Sequence, residues 1–362
     1  MSQNSKLTFE CLAIGSLPHD NLEKAMELVK KDFYKIPFWP QLTKINKNED
    51  MIIQFLENMP SFFVEKDYLD TECDKFFENI EEFFNDYEII TSQNLDESTA
   101  KILDKYAISR NNSIAFPKFI EIIKNTKPNF AKGQIVGPFT LSTSLTDKSG
   151  KSAFYDETLK EIITKTLVLK ALWQIKEIKC ANSDTTPIIF IDEPSLSQLG
   201  TSAFLTVSQN EVIEMLKSVS DIIKQYGAIS AIHCCGKCDW TIPIDAGVDI
   251  INTDAYTYAQ NLSIFSEKIK IFLENGGKIA WGVVPTLDTK ALEKIDLNKL
   301  ISVFEKAVKY LTKKGINEKI ILENSLITPS CGAGGLSEEL AEKAMDLTKE
   351  LSKYGIQISN NR

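Results

Sequence analysis

The 362-residue chain is poor in the residues that grip polyanions. It has two arginines, Arg110 and Arg362, two histidines, and a net charge of −9. A surface that binds nucleic acid must neutralise phosphates and release their counterions. The acidic balance and the scattered lysines oppose that, so no nucleic-acid partner is expected. The scarcity of arginine likewise disfavours a substrate carrying many carboxylates. No apolar run approaches the ~18 residues of a membrane span. The N-terminus, MSQNSKLTFE, lacks the charged-then-apolar layout of a signal peptide. A soluble, cytoplasmic protein with no membrane partner is the expectation. There is no Pro/Gly/Ser-rich linker, no low-complexity tract and no short internal repeat. No GxGxxG follows the first apolar run, which disfavours an open dinucleotide-binding sheet.

What is present is an alternation of short β-rich runs with amphipathic helical stretches. LTFECLAIGS (7–16) reads as a strand, and KIPFWPQL (35–42) as a short, proline-bounded one. A mostly helical stretch, rich in Phe and acidic residues, covers 45–125. Strands then follow at 131–138, 186–194, 228–235, 248–254, 278–285 and within 319–331, with helices near 151–181, 209–225, 262–275, 296–313 and 337–352. Continuous Val/Ile runs bounded by helices imply parallel strands buried on both faces. Eight candidate strands over this length predict a single (β/α)8 TIM barrel spanning 1–362, with an elaborated helical N-terminal region.

A barrel places its chemistry at the C-terminal ends of its strands. The unusual residues fall there: GSLPH (15–19), GPFT (137–140), DEP (192–194), HCC (233–235), NTD (252–254) and PSCG (329–332). Seven cysteines are an odd number, and cytoplasmic clusters of cysteine are more often metal-binding or catalytic than disulfide-forming. Cys11, Cys73 and Cys180 stand alone and read as small buried hydrophobes. In AIHCCGKCDW (231–240), strand alternation points His233 and Cys235 the same way and Cys234 the other, against the helix layer. An HxC pair at a strand end sets an imidazole nitrogen and a thiolate toward one zinc ion. Cys235 and Cys238 also form a CxxC, but the barrel context and the lack of a second CxxC disfavour redox or zinc-knuckle readings. Cys331 and Asp254, at two other strand ends, are candidates for the same centre. His19, Trp39 and Trp281 are open between site lining and ordinary packing or capping.

Together these residues resemble the catalytic barrel of the cobalamin-independent methionine synthase family, within the superfamily that also holds uroporphyrinogen decarboxylase and the corrinoid:coenzyme M methyltransferases. The resemblance runs from IGSLPH to PSCGAGG. It implies that His233, Cys235 and Cys331 bind Zn2+. The family's fourth ligand is a glutamate where this chain has Asp254, one methylene shorter. It implies that the Ile14, Gly15 and Ser16 turn holds the substrate carboxylate through backbone N–H groups. Asp192 would then hold the substrate ammonium, helped by Glu193. The family's full-length enzymes have two barrels, and this chain has room for one. They also carry a histidine after the seventh strand, where this chain reads WGVVPTLDT. A folate amine needs a proton to leave and a reduced corrinoid does not. The expectation is therefore a zinc-dependent methyltransferase that moves a methyl group to homocysteine from a methyl-corrinoid carried on a partner protein. The alternatives are transfer to another thiol such as coenzyme M, a uroporphyrinogen-decarboxylase-like enzyme, and a non-catalytic protein that captures corrinoid proteins or stores zinc.

Overall fold

The computed structural model describes residues 7–92 and 96–360; Arg362 and residues 93–95 of the expected helical stretch lie outside them. Six parallel strands form one sheet: β1 (Phe130–Val136), β2 (Thr186–Asp192), β3 (Ile229–Cys234), β4 (Ile250–Thr253), β5 (Lys278–Val284) and β6 (Ser325–Pro329). Their spatial order follows the chain from β1 to β6 without reversal. A doubly wound sheet reverses its order at a switch point, and this one does not.

The first two expected strands, 7–16 and 35–42, do not form as regular strands. They make isolated parallel bridges instead, Cys11 to Ile327, Phe38 to Lys132, and Ser16 to Gln41. The first segment therefore lies along β6, the second along β1, and the two meet each other. Leu12 N–H donates to Ile327 C=O at 2.9 Å, Lys132 N–H to Pro37 C=O at 2.8 Å, and Leu17 N–H to Gln41 C=O at 3.0 Å. The local sequence explains why these ladders stay short. Phe9 takes a positive φ of 56°, which breaks the extended run. Pro37 and Pro40 have no N–H to donate. A second difference concerns the last strand: residues Glu318–Glu323 are a short helix, started by Asn317 accepting from Lys319 N–H, and β6 begins only at Ser325.

The helices between strands follow their capping signals. Glu157–Ala181 starts at Asp156, whose side chain accepts from Leu159 N–H, and Gln209–Gln225 starts with a Ser208/Glu211 capping box. Leu297–Thr312 and Glu338–Asn360 pack near the end of the chain. Residues 45–125 hold the helices Asp74–Ser92, Glu97–Leu103 and Phe116–Thr126, with 3₁₀ turns before and among them. The buried Lys170 ties this part to the long helix, donating to Glu57 C=O at 2.6 Å and to Tyr106 C=O at 2.9 Å. No helix among the described residues is long and apolar enough to cross a membrane.

The sheet is buried on both faces, and alternation sorts its residues. Phe130, Ile188, Phe190, Ile229, Ala231, Ile250, Ala280 and Leu326 form one apolar cluster with Leu7, Leu12 and Ile36. Ile135, Ile189, Ile191, Ile232, Ile251, Ile279 and Ile327 face the helices, in a separate core that includes Cys234, Trp39 and Trp281. The two tryptophans are thus core residues, and Cys234 packs as expected. The isolated cysteines differ from the expectation: Cys180 is exposed, and Cys11 and Cys73 are only partly buried. Further toward the C-terminal ends, the inner face turns polar, with Lys132, Gln134, Asp192, His233, Asn252 and Thr328 all buried.

Candidate metal centre

Register brings the polar strand ends to one level. Val136 pairs with Asp192, Asp192 with His233, and His233 with Asn252. One ring nitrogen of His233 and the sulfurs of Cys235 and Cys331 all lie within 4.8 Å of one another. These three residues come from two distant stretches of chain and converge on a cavity of about 360 Å3.

Hydrogen bonds assign the imidazole tautomer. Asn252 donates from Nδ2 to Ala280 C=O and to Thr328 Oγ1, both at 2.8 Å, which fixes its Oδ1 toward His233. His233 Nδ1 lies 2.5 Å from that oxygen, so Nδ1 carries the proton and donates. Nε2 keeps its lone pair and has no nitrogen or oxygen partner, although the residue is buried, and the ring interacts with the Cys235 sulfur. Such an orphaned acceptor is costly unless a ligand completes it. The Cys235 thiol is pulled well below its ordinary range, first by a hydrogen bond from Cys331. The same hydrogen bond, together with burial, pushes the Cys331 thiol far up. One proton is therefore shared by two crowded sulfurs, and a divalent cation would replace it. An imidazole with a fixed tautomer and two thiolates fit Zn2+ as a donor set with one position open.

Asp254, the fourth expected ligand, is not part of that group. It is buried and acts as the N-cap of the helix Ala255–Leu262, accepting from Thr257 N–H at 2.9 Å. Burial raises its carboxyl above the usual range.

The expected substrate residues divide into two kinds. Ile14, Ser16 and Asp192 line the cavity with the metal candidates. The N–H groups of Ile14, Gly15 and Ser16 make no hydrogen bond to any described residue. Asp192 is buried, and its Oδ1 has no partner. Burial raises its carboxyl, against the opposing pull of Lys132 and His233. Glu193 points elsewhere. Its carboxylate accepts from Phe139 N–H and Thr140 N–H, each at 2.8 Å, and from Thr140 Oγ1 at 2.6 Å. It caps the helix Pro138–Ser144 and does not line the cavity. Burial raises its carboxyl to about 7 against those hydrogen bonds. A Cβ on Gly137 would lie 2.0 Å from that carboxylate, so glycine is required there. His19 is buried, does not line the cavity, and lies 3.9 Å from Glu342.

Other residues of the site carried no motif. Lys132 sits beneath the cavity, its Nζ donating to Ile14 C=O and, at 2.9 Å, to Gln134 Oε1. Gln41 lines the cavity, and its amide is oriented by donation to Gln54 Oε1 at 2.8 Å. Gly332 and Gly334 let the Cys331 turn close on Ser16. A Cβ on Gly332 would fall 2.2 Å from Ser16 Oγ, and Gly334 N–H donates to that oxygen at 3.2 Å. The signal for Lys132, Gln134 and Asn252 was present, as polar residues inside otherwise apolar strands.

An imidazole and two cysteines meet at the strand ends of a parallel α/β sheet, beside a buried carboxylate, as a donor set that could hold a metal ion. No protein-family model matches the chain. A methionine synthase from Methanocaldococcus jannaschii is 28% identical over 237 residues, covering 64% of this chain and 68% of that protein. A B12-independent methionine synthase from Shewanella sp. W3-18-1, solved with selenomethionine, aligns with a TM-score of 0.41 at 17% identity, covering 66% of this chain and 68% of that one. A methyltransferase from Methanosarcina mazei aligns with a TM-score of 0.48 at 13% identity, covering 96% of each chain. The sequence relative is a methionine synthase, in line with the resemblance carried by the motifs.

Proposed function

We propose that the chain is a zinc-dependent S-methyltransferase that converts homocysteine to methionine. The observation that carries this reading is the meeting of His233, Cys235 and Cys331 within 4.8 Å, in the same cavity as Asp192. The frame would be a complete (β/α)8 barrel, with the two bridging N-terminal segments standing as its first two strands beside the six-stranded sheet. His233, Cys235 and Cys331 would hold the zinc, and Asp254 would serve as a cap. Bound zinc would supply a Lewis acid that keeps the acceptor thiol deprotonated near neutral pH.

The chain's own residues select the acceptor. Asp192 Oδ1 offers a buried carboxylate oxygen to an ammonium group, and the Ile14–Ser16 turn offers N–H groups to a carboxylate. An α-amino acid thiol satisfies both, whereas coenzyme M has no amine. Arg110 is exposed and does not line the cavity, which disfavours a tetrapyrrole polycarboxylate as substrate. The methyl donor would be a corrinoid on a partner protein. Its macrocycle is too large for a 360 Å3 cavity that also holds an amino acid, so the methyl would be presented from the mouth. In transfer, the acceptor sulfur forms a bond to the methyl carbon as the carbon–cobalt bond breaks. Its electron pair stays on cobalt, so no proton donor is needed.

Zinc X-ray absorption tests the reading. The expected first shell is one nitrogen and two sulfurs, gaining one sulfur when homocysteine is added. Zinc with an unchanged sulfur count would overturn the acceptor, and a protein that takes up no zinc would overturn the whole reading.

A further inference from the structure

The segment WGVVPTLDT, which ends β5 and runs beyond it, has no histidine, yet it reaches the candidate centre through Thr286. This residue is 5% exposed. Its hydroxyl accepts from Cys331 N–H at 2.9 Å and donates to Cys331 C=O at 2.9 Å. The same oxygen lies 3.2 Å from Ser330 Oγ, and Thr286 N–H donates to that Oγ at 3.1 Å. The pattern is self-consistent. With the Thr286 proton on Cys331 C=O, the Ser330 hydroxyl donates to Thr286, and every donor and lone pair of the Thr286 hydroxyl is used.

The Cys331 turn needs such a fixture. Gly332, Gly334 and Gly335 follow the cysteine, and glycine gives the backbone its greatest freedom. Gly332 and Gly334 are set by the approach of Ser16, Gly335 faces open space, and none of the three adds stiffness. On the far side the turn is anchored by Ala333 N–H to Ser16 C=O at 2.9 Å. On the near side, Thr286 grips both peptide groups flanking the Cys331 Cα. A β-branched side chain with few χ1 states suits this role.

We propose that Thr286 is a positioning residue for the metal site, holding the Cys331 backbone so that its sulfur meets His233 and Cys235. This rests on the reading of those three residues as ligands, and it adds a residue that touches neither metal nor substrate. The test is metal affinity in the full chain. Zinc dissociation constants are measured by chelator competition, and the cobalt form is followed by its sulfur-to-metal charge-transfer band. Thr286→Val removes the hydroxyl and keeps the shape; Thr286→Ser keeps the hydroxyl. The expected result is a 10- to 100-fold weaker zinc affinity in Thr286→Val, with a weakened charge-transfer band, and recovery to within a few-fold in Thr286→Ser. Urea midpoints taken alongside ensure that folded proteins are compared. A folded Thr286→Val that binds as tightly as the parent overturns the proposal. If Thr286→Val does not fold, Thr286→Ser decides: a tenfold or larger loss with the hydroxyl retained overturns it. If the parent itself binds neither zinc nor cobalt, the ligand reading has failed, and that result is recognised in the unmutated protein.

Discussion

Replacing Asn252 with alanine separates the support of a ligand from the ligand itself. Asn252 is fully buried and makes three hydrogen bonds, to His233 Nδ1 at 2.5 Å and to Ala280 C=O and Thr328 Oγ1 at 2.8 Å. In Asn252→Ala the His233 Nδ1–H loses the hydrogen bond that holds it. One stranded buried donor and a small cavity predict a stability loss of about 2–4 kcal/mol. The imidazole also loses the bond that fixes its tautomer and plane, so zinc affinity should fall 10- to 100-fold, or about 1.4–2.7 kcal/mol. Asn252→Asp keeps an acceptor against Nδ1 and should hold zinc far better than Asn252→Ala, even though its buried carboxylate costs stability. Chelator competition gives the affinities and urea unfolding the stabilities. A folded Asn252→Ala protein with parental zinc affinity would refute the reasoning, because the Nδ1 bond would then not be what orients His233.

Asp254→Asn keeps an oxygen for Thr257 N–H and removes the charge, so zinc affinity should stay within a few-fold of the parent; a loss of tenfold or more would restore Asp254 as a ligand. Gly355 lies inside the helix Glu338–Asn360, where propensity alone predicts that Gly355→Ala stabilises by about 1 kcal/mol. A Cβ there would lie 2.0 Å from the Phe9 ring, so overpacking should reverse the sign, with a net loss of about 1–3 kcal/mol in urea unfolding. Glu193 is raised from an ordinary 4.5 to about 7, chiefly by burial. The folded state then binds more protons than the unfolded state between those values, so this group's contribution to stability falls as pH rises through that window. The full span is worth about 3 kcal/mol. The difference between parent and Glu193→Gln unfolding free energies, followed from pH 4.5 to 7, should carry that slope; a flat difference would contradict it.

Much of the site was legible because strand periodicity is a rigid rule. Period 2 alone set His233 and Cys235 together and sent Cys234 to the helix side, where it is buried. The βα alternation placed five strands at nearly the observed bounds and the sixth within 319–331, where β6 spans Ser325–Pro329. What was lost had physical causes outside local pattern. Glu193 looked like a partner of Asp192, but alternation turns it to the opposite face, where a helix N-terminus takes its charge. Asp254 met two demands with one carboxylate, and the free N–H of Thr257 claimed it. The segments around Cys11 and Phe38 read as strands by composition, yet a positive φ at Phe9 and two prolines cut them to single bridges.

The supporting residues share a feature that points to how the candidate site is built. Asn252, Thr286 and Lys132 each lie on a different strand or strand end, and each bonds to a residue of another: His233, Cys331 and Ile14. None is close in sequence to what it holds, so no motif could show them. Two of the three metal candidates are thus oriented by side chains from a neighbouring strand or strand end, and the Ile14 turn is held from β1. A cavity assembled this way depends on register across the whole sheet. The loose bridging of the two N-terminal segments then matters for the cavity: Ser16 meets both Gln41 and the Cys331 turn, so slippage of the segment 9–16 along β6 would displace the Ile14–Ser16 turn and Cys331 together.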